Sequence, residues 1–211
     1  NDQFRISRNF ISSELVASIK NSGMLEKPFL LKKDNHYYPL TCHNRIRIIR
    51  DLDIPEVEVY MLNSPSYEVF IRNLQMKIYR NECGPIGRIR AFNILRDIFG
   101  IEQTQLADFA RKTLKIPNDI FTDAAIIDCI IKLPEAINDY IDLKDISFKL
   151  IRDIVKFDEA LIAEVNRWIE KVQIRLNIFK MLVDFLFDIR KRDGLFNAIN
   201  DDVLLRMDDK A

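Results

Sequence analysis

The chain is poor in the residues that make turn-rich or crosslinked proteins, with 5 glycines, 7 prolines and 3 cysteines in 211 residues. So little Gly and Pro argues against a many-turned sandwich and for long helices. Cys42, Cys83 and Cys129 are scattered and odd in number, so neither a disulfide framework nor a paired metal spacing is expected. A reduced, cytoplasmic chain follows from that usage. Net charge is absent too: 32 Lys+Arg balance 32 Asp+Glu. A compact nucleic-acid binder usually shows a basic excess, so any basic surface here must be local. No charged-then-apolar signal opens the chain, and its start at Asn1 leaves room for an upstream piece. The most apolar run, "IFKMLVDFLFDI", is broken by Lys180, Asp184 and Asp188 at four-residue spacing. That polar stripe makes it an amphipathic helix, and no membrane span is expected.

What is present is an ordinary globular balance, 48% apolar and 30% charged. The first third alternates helix and strand. "SSELVASIKNSG" predicts a helix capped by Ser12 or Ser13 and stopped by Gly23. "PFLLKKDNHYYPL" predicts a hairpin turning at Lys-Asp-Asn. In "NRIRIIRDL" the spacing puts Ile46, Ile49 and Leu52 on one helical face and pairs Arg47 with Asp51. "PEVEVYML" alternates Val57, Val59 and Met61, as a strand buried on one side does. Beyond about residue 66 only helical patterns follow. "NDIFTDAAIIDCIIKL" reads as one of them, and the last carries Asn177 as a cap and Gly194 as a stop. These patterns predict an α/β module at 1–63 and a helical domain at 64–211, with C-terminal helices over about 146–193.

Four segments, in order, resemble the ParB-type partition proteins and their ParB/sulfiredoxin-like N-terminal domain. "ELVASIKNSGMLEKPFLL" is similar to that family's opening helix and following strand, and "CHNRIRIIRDLDIPEVEV" to its "GERRLRAAKELGLxxVPV" run. "IRNLQ" with "GPIGRIRAFNILRDIFGIEQTQLADFA" resembles its "IENLQR … NPIEEARAYxxLxxxFGxTQxELA". "IIKLPEAINDYIDLKDIS" resembles the piece after the DNA-reading helix. The likeness spans roughly residues 12–157. It implies an α+β fold: a small ParB/sulfiredoxin-like α/β module, then an all-helical domain with a degenerate helix-turn-helix at about 102–133.

The resemblance also implies a CTP pocket. The family's "GERR" helix start, which holds the triphosphate, falls on Cys42, His43, Asn44 and Arg45, with Arg47 following. Its "ENxxR" segment, which supplies Mg²⁺ and phosphate contacts, falls on Arg72, Asn73 and the neighbourhood of Lys77. The amides of a helix start favour an anion whatever the side chains, and Arg45, Arg47, Arg72 and Lys77 can pair with phosphate oxygens. Arg72, however, stands where the family has a metal-binding carboxylate, and Cys42 stands where it has glycine. Mg²⁺ is therefore doubtful, metal-dependent hydrolysis is expected to be impaired, and no catalytic or metal-ligating residue is assigned. The acidic pair that follows Pro-Ile in the family is replaced by Gly87 and Arg88.

Rival readings bear on several of these residues. "TCHNR" looks like the reactive turn of sulfiredoxins, but its register slips by one, and a plain cap at Cys42 is favoured. A zinc site from Cys42, His43, His36 and Cys83 lacks any standard ligand spacing. The helix "EQTQLADFARKTL" offers Gln103, Gln105, Arg111 and Lys112 to DNA, and Arg80, Arg88 and Arg90 form the other weak basic set. The next segment carries Asp119, Asp123 and Asp128, which phosphate would repel, so a packed helical hairpin competes with a DNA reader. Trp168, Phe179, Phe185 and Phe187 read as core or as an oligomer seam. The leading expectation is a nucleoid-associated, ParB-like protein binding DNA weakly or non-specifically, as a homodimer. The alternative is a non-catalytic scaffold for a protein partner. A ParB-like nuclease ranks last, for want of a carboxylate cluster.

Overall fold

The structure, a computed structural model, describes residues 3–172 and 174–192. Two compact units divide at Leu114/Lys115.

The first unit opens with an irregular segment whose Phe4 and Ile6 are buried, followed by helix α1, Ser13–Ser22. Ser12 caps α1, its hydroxyl accepting from the Leu15 amide, and Gly23 ends it at φ 68°. Strands β1 (Phe29–Lys33) and β2 (His36–Pro39) form the expected hairpin. Asp34 and Asn35 both take positive φ at its tip, as a two-residue turn matched to strand twist requires. Helix α2, His43–Asp51, leads to strand β3, Tyr60–Leu62, which lies parallel to β1 in a sheet of order β2-β1-β3.

Three sequence expectations need correction here. The buried face of α2 centres on Ile48 and Ile49, packed with Ile19 and flanked by Leu52, rather than on Ile46. Arg47 reaches Asn9 Oδ1 at 2.7 Å instead of Asp51. The third strand is also only three residues long, and Val57, Tyr60 and Met61 are exposed. As an edge strand it pairs on one side only, and its alternation does not mark a covered face.

Helix α3, Tyr67–Tyr79, is capped by Ser66 and broken at Asn81, which sits at φ 55°. Helix α4, Pro85–Asp97, follows with Pro85 in its first turn. It is buried along most of its length through Ile86, Ile89, Phe92 and Leu95, each such side chain contributing about 1.5–3 kcal/mol. Helix α5, Gln103–Phe109, runs into a π-helical turn, Ala110–Leu114.

The second unit is helical. The segment read as one helix is two: α6, Asn118–Phe121, and α7, Ala124–Lys132. Asp123 breaks the run by capping α7, its carboxylate accepting from the Ala125 and Ile126 amides. Asp119 pairs with Arg152. Helices α8 (Glu135–Lys144), α9 (Phe148–Ile154), α10 (Glu159–Val172) and α11 (Leu176–Arg192) complete it. Trp168 and Phe179 are fully buried, and the Trp168 indole donates to Glu164 at 2.6 Å. Phe185, by contrast, is exposed beside Met181 on α11. Asn177 lies inside α11 rather than capping it, since the Phe179 amide already bonds the Arg175 carbonyl. Gly194 falls outside the described residues. No helix among the described residues is long and apolar enough to cross a membrane.

Candidate anion-binding site

A cavity of about 410 Å³ opens in the first unit at the start of α2. Cys42, His43, Asn44 and Arg45 line one wall, and Asn73 and Lys77 come to it from α3. The helix begins there because Cys42 takes a left-handed conformation, φ 59° and ψ 28°, which turns the chain from β2 into α2 without a side-chain cap bond. The first amides of α2 have no acceptor within the helix, which makes such a helix start attractive to negative oxygen.

Two predicted residues lie elsewhere. Arg72 is exposed on α3 and outside the cavity lining, and Arg47 is held by Asn9. A helical side chain three or four positions from Lys77 or Asn73 can share their face, whereas Arg72, adjacent to Asn73, points about a quarter-turn or more away.

Arg80 borders the cavity as well, and four residues that the sequence reading did not single out join it. Ser7, Arg8 and Phe10 come from the irregular N-terminal segment, and Glu26 from the loop before β1. That segment is clamped from three sides. Asn44 Nδ2 donates to the Arg8 carbonyl at 3.0 Å and to the Phe10 carbonyl at 2.9 Å. Arg47 holds Asn9, and the Arg8 amide bonds the Glu82 carbonyl at 3.0 Å. Below it, Gly87 on α4 admits the Ile6 backbone, because a Cβ there would come within 2.1 Å of the Ile6 carbonyl oxygen. Gly87 thus has a packing role.

The cavity's charges are mixed. Arg45 Nη1 meets Glu26 Oε2 at 2.5 Å, and Lys77 is paired with Glu82. Two carboxylates therefore face the cavity from positions that the sequence pattern does not reveal. Burial works against the charge on Arg45, but its hydrogen bond to Glu26 and the nearby Cys42 outweigh it and hold its pKa above the ordinary guanidinium value. Burial pushes the Cys42 thiol up, against the hydrogen bond from Thr41, so the helix start does not activate it as a nucleophile. Glu26 and Glu82 are each engaged by a cation, and among the described residues no three metal-ligating side chains gather. Any Mg²⁺ here would have to take a carboxylate from its cation and draw its other oxygens from phosphate and water. His36 is exposed and bonds the Asp34 carbonyl through its ring, and Cys83 is fully buried.

The weak DNA set separates into two kinds. Arg88 is structural: Nε donates to the Cys83 carbonyl and Nη1 to the Leu114 carbonyl, both at 3.4 Å. Arg90 is half-buried on α4, and Arg80 borders the anion cavity. Gln103, Gln105 and Arg111 line a shallow hollow on α5, with Lys112 exposed nearby. Asp108 pairs with Lys112 at 2.8 Å and Arg111 at 3.6 Å, which offsets much of the positive field there.

The molecule is thus an α+β protein with a small mixed sheet, a mostly helical remainder and a mixed-charge cavity at a strand-to-helix turn. No family model matches the chain. It is 24% identical over 164 residues to the nucleoid occlusion protein of Listeria monocytogenes, a match covering 74% of this chain. The chain spans about half the length of that relative, 55%. It is also similar to the C-terminally truncated chromosome-partitioning protein ParB from Caulobacter crescentus complexed to the centromeric parS site. That likeness has 13% identity, 84% coverage of this chain, 91% of the other and a TM-score of 0.35. The same protein complexed with CTP-gamma-S gives 16% identity, 81% and 92% coverage and a TM-score of 0.31. The chain is thus similar to a nucleoid occlusion protein over most of its length, and its ordered motifs resemble those of the ParB-type proteins.

Proposed function

We propose that the chain is a ParB-like, DNA-associated protein whose first unit holds the phosphate end of a nucleotide, CTP being the first candidate, without metal-dependent turnover. The observation that carries this reading is the convergence of Arg45, Lys77 and Asn73 on one open cavity at the start of α2. Guanidinium and ammonium groups beside the first amides of a helix form a receptor for phosphate oxygens. To bind, the anion displaces or shares the partners that Arg45 and Lys77 already have. DNA association through Gln103, Gln105, Arg111 and Lys112 is weak and non-specific in this reading, because Asp108 sits among the cations. Self-association would use α11, where Met181 and Phe185 stand exposed one turn apart. A nucleoid-associated place in the cytoplasm follows from the same reading.

One observation favours the scaffold alternative: both central cations are internally paired, which weakens the pull on any ligand. A thermal-shift panel of CTP, ATP, GTP and UTP, with and without Mg²⁺, decides between them. A native-state ligand raises the melting temperature. The proposal expects a rise that Arg45→Ala abolishes. No rise with any nucleotide leaves the scaffold standing.

A further inference from the structure

We propose that Phe10 reads the ring of the bound nucleotide, stacking on a planar heterocycle whose phosphates lie against Arg45 and Lys77; this rests on the anion-pocket reading above. Phe10 lines the cavity yet is 58% exposed. Isolated exposed phenylalanines are common and by themselves mean little. This one is held in place by unusual effort. Its own carbonyl accepts from Asn44, residue 9 before it is bonded by Arg47, and residue 8 is bonded through both its amide and its carbonyl. Two of the clamping side chains, Asn44 and Arg47, belong to α2, the helix whose start forms the anion end of the cavity. Anion wall and aromatic rim are therefore positioned by the same helix.

The cavity chemistry supports a two-part ligand. Charged side chains cluster around Arg45 and Lys77, and Phe10 and Leu15 add apolar surface among the lining residues. Inorganic phosphate would use the first and leave the aromatic ring in water. A nucleotide uses both, since every base presents a π-face to an aromatic side chain.

The test compares CTP and ATP with inorganic triphosphate, by calorimetry on the full chain, for wild type, Phe10→Ala, Phe10→Leu and Phe10→Trp. Stacking strengths predict that Phe10→Ala and Phe10→Leu weaken nucleotide binding roughly tenfold, that Phe10→Trp keeps it, and that triphosphate binds all four alike. Leucine preserves apolar bulk, so its failure separates stacking from packing; unchanged melting temperatures show that the fold is intact. Equal losses for nucleotide and triphosphate overturn the stacking role, as does no loss for either. Wild type binding triphosphate but no nucleotide overturns it also, leaving the anion pocket in place. Binding of neither ligand to wild type overturns the pocket reading and this inference together.

Discussion

Ile6 and Gly87 meet backbone to backbone, with no room between them for even a methyl group: a Cβ on Gly87 would stand 2.1 Å from the Ile6 carbonyl oxygen and 3.1 Å from Cys83 Sγ. Ile6 is 1% exposed and anchors the segment that carries Ser7, Arg8 and Phe10 into the cavity. Gly87→Ala should therefore push that segment off α4. Alanine improves helix propensity by roughly 1 kcal/mol, but overpacking a buried backbone contact costs about 1–3 kcal/mol and prevails. A melting temperature lower by a few degrees, with weakened nucleotide binding, is the expected pair of results. An unchanged melting temperature would show that the contact is easily relieved.

Lys77 donates to Glu82 across the break between α3 and α4, and the pair is half-buried. Removing the carboxylate charge leaves Lys77 available to an incoming anion. Glu82→Gln should tighten triphosphate or nucleotide binding by about 3- to 10-fold, the scale of one charge-assisted hydrogen bond in a partly screened site. Glu26→Gln should act in the same direction through Arg45, whose partner is 2.5 Å away. Weaker binding in both variants would mean that the carboxylates hold the cations in place rather than compete for them.

How much of this was visible in the sequence depends on whether a feature is local. Ser12 as a cap, the Asp34-Asn35 turn and the stop at Gly23 follow from short-range rules, and the structure has them. The exposed stripe of Lys180, Asp184 and Asp188 on α11 follows from periodicity in the same way. Asp123 was legible as an acid but not as a cap, because the apolar spacing on both sides of it continues the helical pattern. The cavity was half legible. Cys42 through Arg45 are contiguous, and Asn73 and Lys77 lie four apart on one helix, so motif and period place them. Phe10, Glu26 and Glu82 arrive from three other segments by tertiary packing, which no spacing along the chain encodes. Gly87 stands in a helical pattern that gives no sign of a close approach, and only the fold shows its contact with Ile6.

Asp108 accepts from Lys112 and faces Arg111, and the Lys112 hydrogen bond holds its carboxyl below the ordinary aspartate range. If DNA lies along this part of α5, Asp108 opposes it. Asp108→Asn should strengthen non-specific duplex binding several-fold at low salt and steepen its salt dependence, since more counterions are released per complex. Fluorescence anisotropy over a salt series checks this. Identical curves for both proteins would place any DNA surface elsewhere. The same depressed carboxyl contributes stability above the ordinary aspartate pKa that is lost as pH falls through its lower folded value.

Cys42 and Cys129 should differ sharply toward an alkylating reagent. Only the thiolate attacks, and Cys42 is half-buried, with burial first among the causes that raise its pKa. At pH 7.5 it carries less thiolate than an ordinary cysteine, despite standing at a helix start. Cys129 is exposed on α7, and Cys83 is fully buried. Iodoacetamide followed by peptide mass spectrometry should label Cys129 first, Cys42 slowly and Cys83 only on unfolding. The Cys42 rate should rise as pH passes the normal thiol range and keep rising above it. A nucleotide seated in the cavity should slow Cys42 further without touching the Cys129 rate, because Cys42 lines that cavity. Fast labelling of Cys42 at neutral pH would instead reveal an activated thiol, and would favour the sulfiredoxin-like reading of "TCHNR" over the plain cap.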